Sequence, residues 1–192
     1  MNTLEAEKRD LKIKAKKLRR EGYVTGNIFG REMKESMPIK IEKAKAEQLM
    51  KNNGRGSQVM LDVEGQKIDA LIKDVTYDPL KHQFMEIDFQ ALVQGEKVHS
   101  VAEIVLLNTD VVTAGIVEPH LHEISFKATP DALIDKIEVD VSHMKVGDTI
   151  EVKDLDIASN KNIDLLTNSE EVIVTIGEIQ APEDDEEEAA EA

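Results

Sequence analysis

Short runs in which apolar and polar residues alternate follow one another along most of this 192-residue chain. Two of them, residues 58–63 and 67–75, flank Glu64-Gly65 and predict a β-hairpin. Residues 84–89 alternate apolar and acidic side chains, as the two faces of a half-buried strand do. A period of two residues gathers apolar side chains on one face of a strand, whereas it would distribute them around a helix. The chain is therefore expected to fold as a mainly β protein.

Two short segments lack this alternation and are predicted as helices. Lys14 to Glu21 is strongly basic and is stopped by Gly22, and Lys43 to Asn52 is followed by the turn residues 53–57. Between the two helices, residues 22–31 are rich in glycine and are predicted as a loop. The spacing of the glycines matches neither a Walker motif nor a dinucleotide-binding fingerprint.

The second half of the chain predicts a further set of strands. The candidates are residues 100–107, 123–127, 136–141, 149–152 and 172–176. Gln94-Gly95-Glu96 lies between the two sets, and a chain of this length has room for one or two domains. The expected organisation is a β domain over residues 1–93, a C-terminal β domain over 97–180, and a disordered acidic tail over 182–192, where adjacent like charges repel each other.

The formal net charge is −15, but its sign changes along the chain. Residues 1–50 hold 13 Lys/Arg against 8 Asp/Glu, whereas residues 151–192 hold 2 against 14. This asymmetry predicts a basic contact surface in the N-terminal part and an acidic remainder.

The sequence contains no cysteine, which excludes a disulfide scaffold, a thiol nucleophile and a cysteine zinc site. The N-terminus lacks the apolar segment of a secretory signal, and no apolar run approaches the roughly 18–20 residues of a membrane span. We therefore expect a cytoplasmic protein without a membrane partner.

Cationic side chains are concentrated in and around the first predicted helix. If residues 12–20 are helical, Lys12, Lys16, Arg19 and Arg20 fall close together, because the last three follow Lys12 by four, seven and eight residues. Phosphate binding requires several cations on one face, and arginine adds bidentate contacts to phosphate or guanine. An ordinary solvated helix face is the alternative. The candidate RNA-binding cations are Arg9, Lys14, Lys16, Lys17, Arg19, Arg20 and Arg31.

Aromatic side chains are scarce, with two Tyr, four Phe and no Trp, and two of the six lie in the glycine-rich segment. Tyr23 or Phe29 could stack on an exposed base, and Phe29 is included among the candidate RNA-binding residues. Packing in the core is an equally good interpretation of Phe29.

The sequence offers little for catalysis or metal binding. His120 and His122 would share one face if they lay on a strand, and Glu123 follows them, but two imidazoles and one carboxylate make a weak metal site. The acids within residues 135–140 alternate with apolar residues, as on the solvent face of a strand. No nucleophile motif occurs. We therefore expect a protein that is not an enzyme, with no catalytic residue, no bound metal and no cofactor.

Several segments resemble one known family by their order and spacing. They are Arg9, Leu18-Arg19-Arg20-Glu21-Gly22, Val24-x-Gly26-x-Ile28-Phe29-Gly30, Asp78-Pro79-Leu80-Lys81, Ile87-Asp88-Phe89-Gln90, Ile137-Glu138-Val139-Asp140-Val141-Ser142, Val146-Gly147-Asp148 and Asp154-Leu155. Together they resemble the bacterial large-subunit ribosomal protein L25 family in its long, two-domain form, also called the CTC or general stress protein type. The resemblance extends over nearly the whole chain except the acidic tail.

This resemblance implies a six-stranded N-terminal β-barrel with short helices, similar to the anticodon-binding domains of glutaminyl-tRNA synthetase. It implies that the barrel binds the loop E region of 5S rRNA, as a structural constituent of the large ribosomal subunit associated with stress. The family's RNA contacts correspond to Arg9, Arg19, Arg20 and Asp88. In this interpretation the C-terminal β domain could contact neighbouring ribosomal proteins, and DNA is not a partner.

Three positions depart from the family pattern. Phe29 stands where the family usually has Tyr, which removes a hydroxyl group, and Thr25 stands where it usually has Pro, at the expected loop entry. Glu86 stands where it usually has His, and a carboxylate facing phosphate is repulsive. These departures motivate a second hypothesis, a paralogue with weakened RNA binding that acts as a protein-interaction module.

Overall fold

A computed structural model describes residues 3–112 and 115–178 of the chain. The expected acidic tail at residues 182–192 lies outside the described residues. The N-terminal part contains six strands and two α-helices, α1 (Ala15–Arg20) and α2 (Lys43–Asn52). The strands are β1 (Thr3–Lys8), β2 (Tyr23–Phe29), β3 (Met37–Glu42), β4 (Gln58–Val63), β5 (Gln66–Asp78) and β6 (Gln83–Ala91).

These six strands form a closed barrel in the order β1-β3-β2-β6-β5-β4. Two parallel pairs, β1 with β4 and β2 with β6, join strands distant in sequence, and antiparallel pairs make up the rest. Alternate side chains of each strand fill the interior with aliphatic residues and Phe89, which is fully buried. The predicted six-stranded barrel is confirmed.

The prediction of a loop over residues 22–31 is wrong, because residues 23–29 form β2 between β3 and β6. Gly26 lies in the middle of this strand. A Cβ atom at Gly26 would lie 2.0 Å from the carbonyl oxygen of Ile87 on β6. The glycine therefore permits the close approach of two strands and does not mark a loop. Thr25 accordingly lies inside a strand, 1% exposed, and not at a loop entry.

The C-terminal part is a second β-rich domain built from two sheets. One sheet has the order β10-β7-β9-β12, and the other has the order β11-β13-β8. Their apolar faces enclose a cluster that includes Ile124 and Ile173, and Phe126 belongs to a further cluster beside it. The strands are β7 (Val98–Leu107), β8 (Ile116–Pro119), β9 (Glu123–Ala128), β10 (Lys136–Asp140), β11 (Thr149–Glu151), β12 (Ile163–Leu165) and β13 (Val172–Gly177).

The barrel meets the second domain through the turn between α2 and β4. Gly56 in this turn has φ +85°, and a Cβ atom there would lie 1.9 Å from the carbonyl oxygen of Val101 on β7. This region of contact between the two domains is called here the seam. The Ser57 hydroxyl donates to Asp135 Oδ2 at 3.1 Å across it. The domain boundaries at residues 93 and 97 stay predictions. Within the described residues, neither α-helix has the length and apolar character needed to cross a membrane.

Candidate nucleic-acid interface

The basic segment of residues 9–20 lies on one side of the barrel and includes α1, which packs on β2. The helix follows the extended residue Lys14 and is held by Leu18, whose side chain is 3% exposed. Lys17, Arg19 and Arg20 occupy its last turn, where cations interact favourably with the helix dipole. One apolar side chain thus docks the helix, while most of its cations remain in solvent.

The cations of this segment are largely without partners within the described part of the chain. Of the seven between residues 9 and 20, Lys17 forms an ion pair with Glu21 at 3.7 Å, and the other six have no carboxylate oxygen within 4.0 Å. In contrast, Lys40 on β3 pairs with Glu7 at 2.8 Å. The charge of residues 9–20 is therefore available to an anionic partner.

Two arginines of the segment are fixed by bonds to backbone carbonyl groups. Arg9 Nη2 donates to the Ile13 carbonyl at 3.3 Å, and Arg9 Nε is buried without a hydrogen-bond partner in the described structure. Arg19 Nη1 donates to the Met85 carbonyl of β6 at 3.3 Å. These bonds restrict the motion of both guanidinium groups, which lowers the entropic cost of using them in binding.

Asp88 on β6 lies half-buried beside β2. Its Oδ1 accepts from the backbone N–H of Asn27 at 3.0 Å and from Asn27 Nδ2 at 3.2 Å. Asp88 therefore links the parallel pair β2–β6, in addition to any contact with RNA. Sequence reasoning missed Asn27, because no local signal marks a residue whose partner is 61 positions away.

Glu86 lies two residues before Asp88, on the same outer face of β6. Its Cα partners are Thr25 on β2 and Thr76 on β5. Glu86 is half-buried and forms no ion pair among the described residues. The Thr25 hydroxyl donates to the Met85 carbonyl at 3.3 Å, which also accepts from Arg19. Arg19 thus bonds to the backbone of the residue next to Glu86 and does not neutralise its carboxylate, since no ion pair joins them within 4.0 Å.

The two aromatic candidates occupy opposite ends of β2. Phe29 is 38% exposed, so its ring is not enclosed in the barrel core. At the other end, Lys40 Nζ lies 4.4 Å from the centre of the Tyr23 ring, a cation–π contact. Phe29 therefore offers an accessible ring face, whereas one face of Tyr23 already has a partner.

The remaining candidate cations differ in their surroundings. Lys16 and Arg20 are exposed on α1 and Lys14 is exposed just before it, whereas Arg31 follows β2 and donates to Glu96 Oε1 at 2.6 Å. This hydrogen bond, reinforced by the charge of Glu96, raises the pKa of Arg31. Arg31 thus ties the end of β2 to the segment that joins the barrel to the second domain.

The described residues contain no group of three or more His, Asp or Glu side chains arranged to hold a metal ion. His120 and His122 are exposed in the turn between β8 and β9 and not on a strand. The geometry in which both imidazoles would share a face is therefore not formed.

Comparison with known proteins gives two consecutive matches along the chain. The model of the Ribosomal L25p family matches residues 4–89, and the model described as Ribosomal protein TL5, C-terminal domain, matches residues 97–180.

Individual relatives are similar over nearly the full length of both chains. The large ribosomal subunit protein bL25 of Caldanaerobacter subterraneus subsp. tengcongensis is 32% identical over 91% of this chain and 88% of its own length. The bL25 proteins of Thermoanaerobacter sp. and Listeria monocytogenes are 31% and 30% identical, over 97% and 95% of this chain and 92% and 88% of their own lengths.

Proposed function

This chain belongs to the ribosomal L25p family in its two-domain form, and we propose that its barrel binds 5S rRNA in the loop E region. As a bL25 protein it is a structural constituent of the large ribosomal subunit, associated with rRNA in the cytoplasm, and it is not an enzyme. The proposed contact surface, called here the RNA face, consists of residues 9–20 and the outer faces of β2 and β6.

The observation that supports this proposal is the set of six cations between residues 9 and 20 that form no ion pair within the described part of the chain. They occur in a chain whose net charge is −15, so their clustering on one side of the barrel is the feature that favours RNA. Each phosphate that they neutralise releases counterions, which provides binding free energy independent of sequence.

The side chains of the RNA face have distinct proposed roles. Lys14, Lys16 and Lys17 neutralise phosphates as mobile point charges, whereas Arg9, Arg19 and Arg20 also reach base edges through their planar guanidinium groups. Asp88 Oδ2, the oxygen not bonded to Asn27, accepts from a base amino group. Phe29 stacks on an unpaired base, a form of recognition suited to irregular RNA.

The first prediction concerns the salt dependence of binding by the full chain. If about 4–6 phosphates are neutralised, log K for a 5S rRNA loop E fragment falls with log salt with a slope of about 3–5. Fluorescence anisotropy at several salt concentrations measures the slope, and a duplex RNA of equal length is the control. Equal affinity for both RNAs would contradict loop E recognition, and a flat salt profile would contradict the phosphate contacts.

A matched pair of double variants locates the binding surface. K16A/R20A removes two exposed cations from the RNA face, whereas K51A/K67A removes two exposed lysines elsewhere on the barrel that also lack an ion pair among the described residues. We expect the first variant to lower the slope by about 2, because each lost phosphate contact lowers it by nearly one. The second variant should leave both slope and selectivity unchanged.

Glu86 favours a second candidate function, a bL25 paralogue with weakened RNA binding that acts as a protein-interaction module. Its carboxylate lies unpaired among the described residues of the RNA face, where it opposes phosphate. An association with stress, which the family resemblance implies, is part of the leading proposal as well as of this second candidate.

A further inference from the structure

The second domain contains an open groove that the RNA-binding proposal does not use. The groove has a volume of about 580 Å³ and lies between β10 and the segment that follows β11. Its apolar lining includes Ile134, Ile137, Ile150 and Leu155, all of which are only half-buried. These side chains retain apolar surface that a partner could cover.

One wall of the groove is an unpaired sheet edge. Within the described residues β10 pairs with β7 alone, and it is the first strand in the order β10-β7-β9-β12. The Glu103 N–H donates to the Asp135 carbonyl, and the Val141 N–H donates to the Leu107 carbonyl.

In a parallel pair, alternate residues of a strand bond to the neighbouring strand. Because residues 135 and 141 bond to β7, Lys136, Glu138 and Asp140 direct their backbone N–H and C=O groups to the open edge. Such an edge is the template on which an extended peptide adds as a further strand.

The charged side chains of the groove are mostly acidic. The lining contains two basic side chains, Lys136 and His143, and four acidic ones, which are Glu138, Asp140, Asp154 and Asp156. The Asn108 side chain and the Ser142 backbone N–H donate to Asp140 and lower its pKa to about 2, so this carboxylate stays ionised.

We propose that this groove binds an extended, lysine- or arginine-rich segment of another protein, which adds to β10 as a strand. Every second side chain of the segment enters the apolar lining, and its cations pair with the acidic rim. This binding mode combines backbone hydrogen bonds with charge complementarity, and it does not depend on the RNA face of the barrel.

The charges of the chain argue against other occupants. Residues 97–178 hold 6 Lys/Arg against 16 Asp/Glu, a net charge of −10, which repels RNA phosphate. A second copy of β10 would place Glu138 and Asp140 against the same acids. The chain's own residues 182–192 contain seven acids and no cation, so the groove repels them as well.

The test uses the full chain and a fluorescent ten-residue peptide of alternating lysine and valine. We expect E138K/D156K to weaken binding about tenfold or more, because two attractive charges become repulsive. Both replaced side chains are exposed and make no side-chain hydrogen bond in the described structure, so the fold should be retained. The control E118K reverses the charge of an exposed acid on β8, in the other sheet. It should alter the affinity for the peptide less than twofold for each unit of charge that is changed.

Two further measurements distinguish strand addition from charge attraction alone. A peptide with two adjacent central residues replaced by proline should lose binding, because proline cannot donate to the ladder. Hydrogen exchange at the amides of Lys136, Glu138 and Asp140 should slow when the original peptide binds. The amides of residues 137 and 139 are already protected by β7, so their exchange should not change. Unchanged exchange, undiminished binding of the proline peptide, or equal losses in E118K and E138K/D156K would each overturn the proposal.

Discussion

Neighbouring carboxylates on one strand have different surroundings in this barrel. Asp88 is bonded to Asn27 through Oδ1, whereas Glu86 has no ion-pair partner in the described structure. The two residues are alike in sequence, since both are acids between apolar neighbours. Their difference arises from β2, which brings an amide group to one and a threonine to the other. Removing the charge of Asp88 would therefore perturb the barrel as well as the proposed RNA contact, whereas Glu86 can be replaced to test RNA binding alone.

At the residue scale we predict that Glu86→Gln and Glu86→His strengthen binding to the loop E fragment about fivefold. This corresponds to ~1 kcal/mol, the interaction of two charges at about 4 Å in water. Titration of each variant at one salt concentration measures the gain. Glu118→Gln, which removes one negative charge from the second domain, is the control. If the Glu86 variants gain no more affinity than Glu118→Gln does, Glu86 does not limit RNA binding.

At the scale of elements, β2 positions most of the RNA face. Its inner side chains Val24 and Ile28 enter the core, its outer face holds Thr25 and Asn27, and α1 packs on it. β2 can pair with β6 only if the backbones approach closely at Gly26. The strand therefore depends on one glycine, although glycine ordinarily weakens strands.

We predict that Gly26→Ala destabilises the protein by about 3 kcal/mol or more, because the new Cβ atom meets the Ile87 backbone and not a movable side chain. Gly30→Ala is the matched variant, since its Cβ atom would lie 2.9 Å from the Ala91 Cβ atom at the end of the same strand pair. Urea unfolding measures both. A Gly26→Ala protein as stable as the parent would show that β2 and β6 can separate without cost, and equal losses in the two variants would show that Gly26 is no more critical than Gly30.

At the scale of the whole molecule, polar contacts and one glycine join the barrel to the second domain. Arg55 lies 3.6 Å from Glu123, and Lys73 Nζ donates to the His99 carbonyl at 2.8 Å. Burial in the seam, together with the charge of Arg55, lowers the pKa of Lys73. These contacts surround Gly56, whose backbone touches β7.

We predict that Gly56→Ala uncouples the two domains, whereas Gly65→Ala does not. Both glycines have positive φ, +85° and +89°, but a Cβ atom at Gly65 would meet nothing within 4 Å. Gly65→Ala should cost about 1–2 kcal/mol from backbone strain alone, with a single unfolding transition. Gly56→Ala adds a clash with Val101 and should give two transitions in calorimetry. A single transition, equally shifted in both variants, would refute coupling through the seam.

Features set by neighbours in sequence were predictable. The hairpin β4–β5 and helix α2 follow from alternation, from the Glu64-Gly65 turn and from the turn residues after Asn52, and both are found. The predicted strands of the second domain are found with ends shifted by one or two residues. Besides β2, strands β1, β3, β8 and β12 were not predicted. Strands β8 and β12 have only four and three residues, β3 and β8 contain proline, and the apolar residues of β1 are only Leu4 and Ala6.

The sequence by itself determined the mainly β fold class and the division of the strands into two sets. It also determined the basic segment of residues 9–20 and the resemblance to the bL25 family. Each of these depends on residue types and spacings within a short window. Only the tertiary structure decided that Gly26 belongs to a strand, that Asp88 bonds to Asn27, and that β10 pairs with β7 alone among the described residues. These features depend on the parallel pairs β2–β6 and β7–β10, whose partners are tens of residues apart, so no local pattern of side chains encodes them.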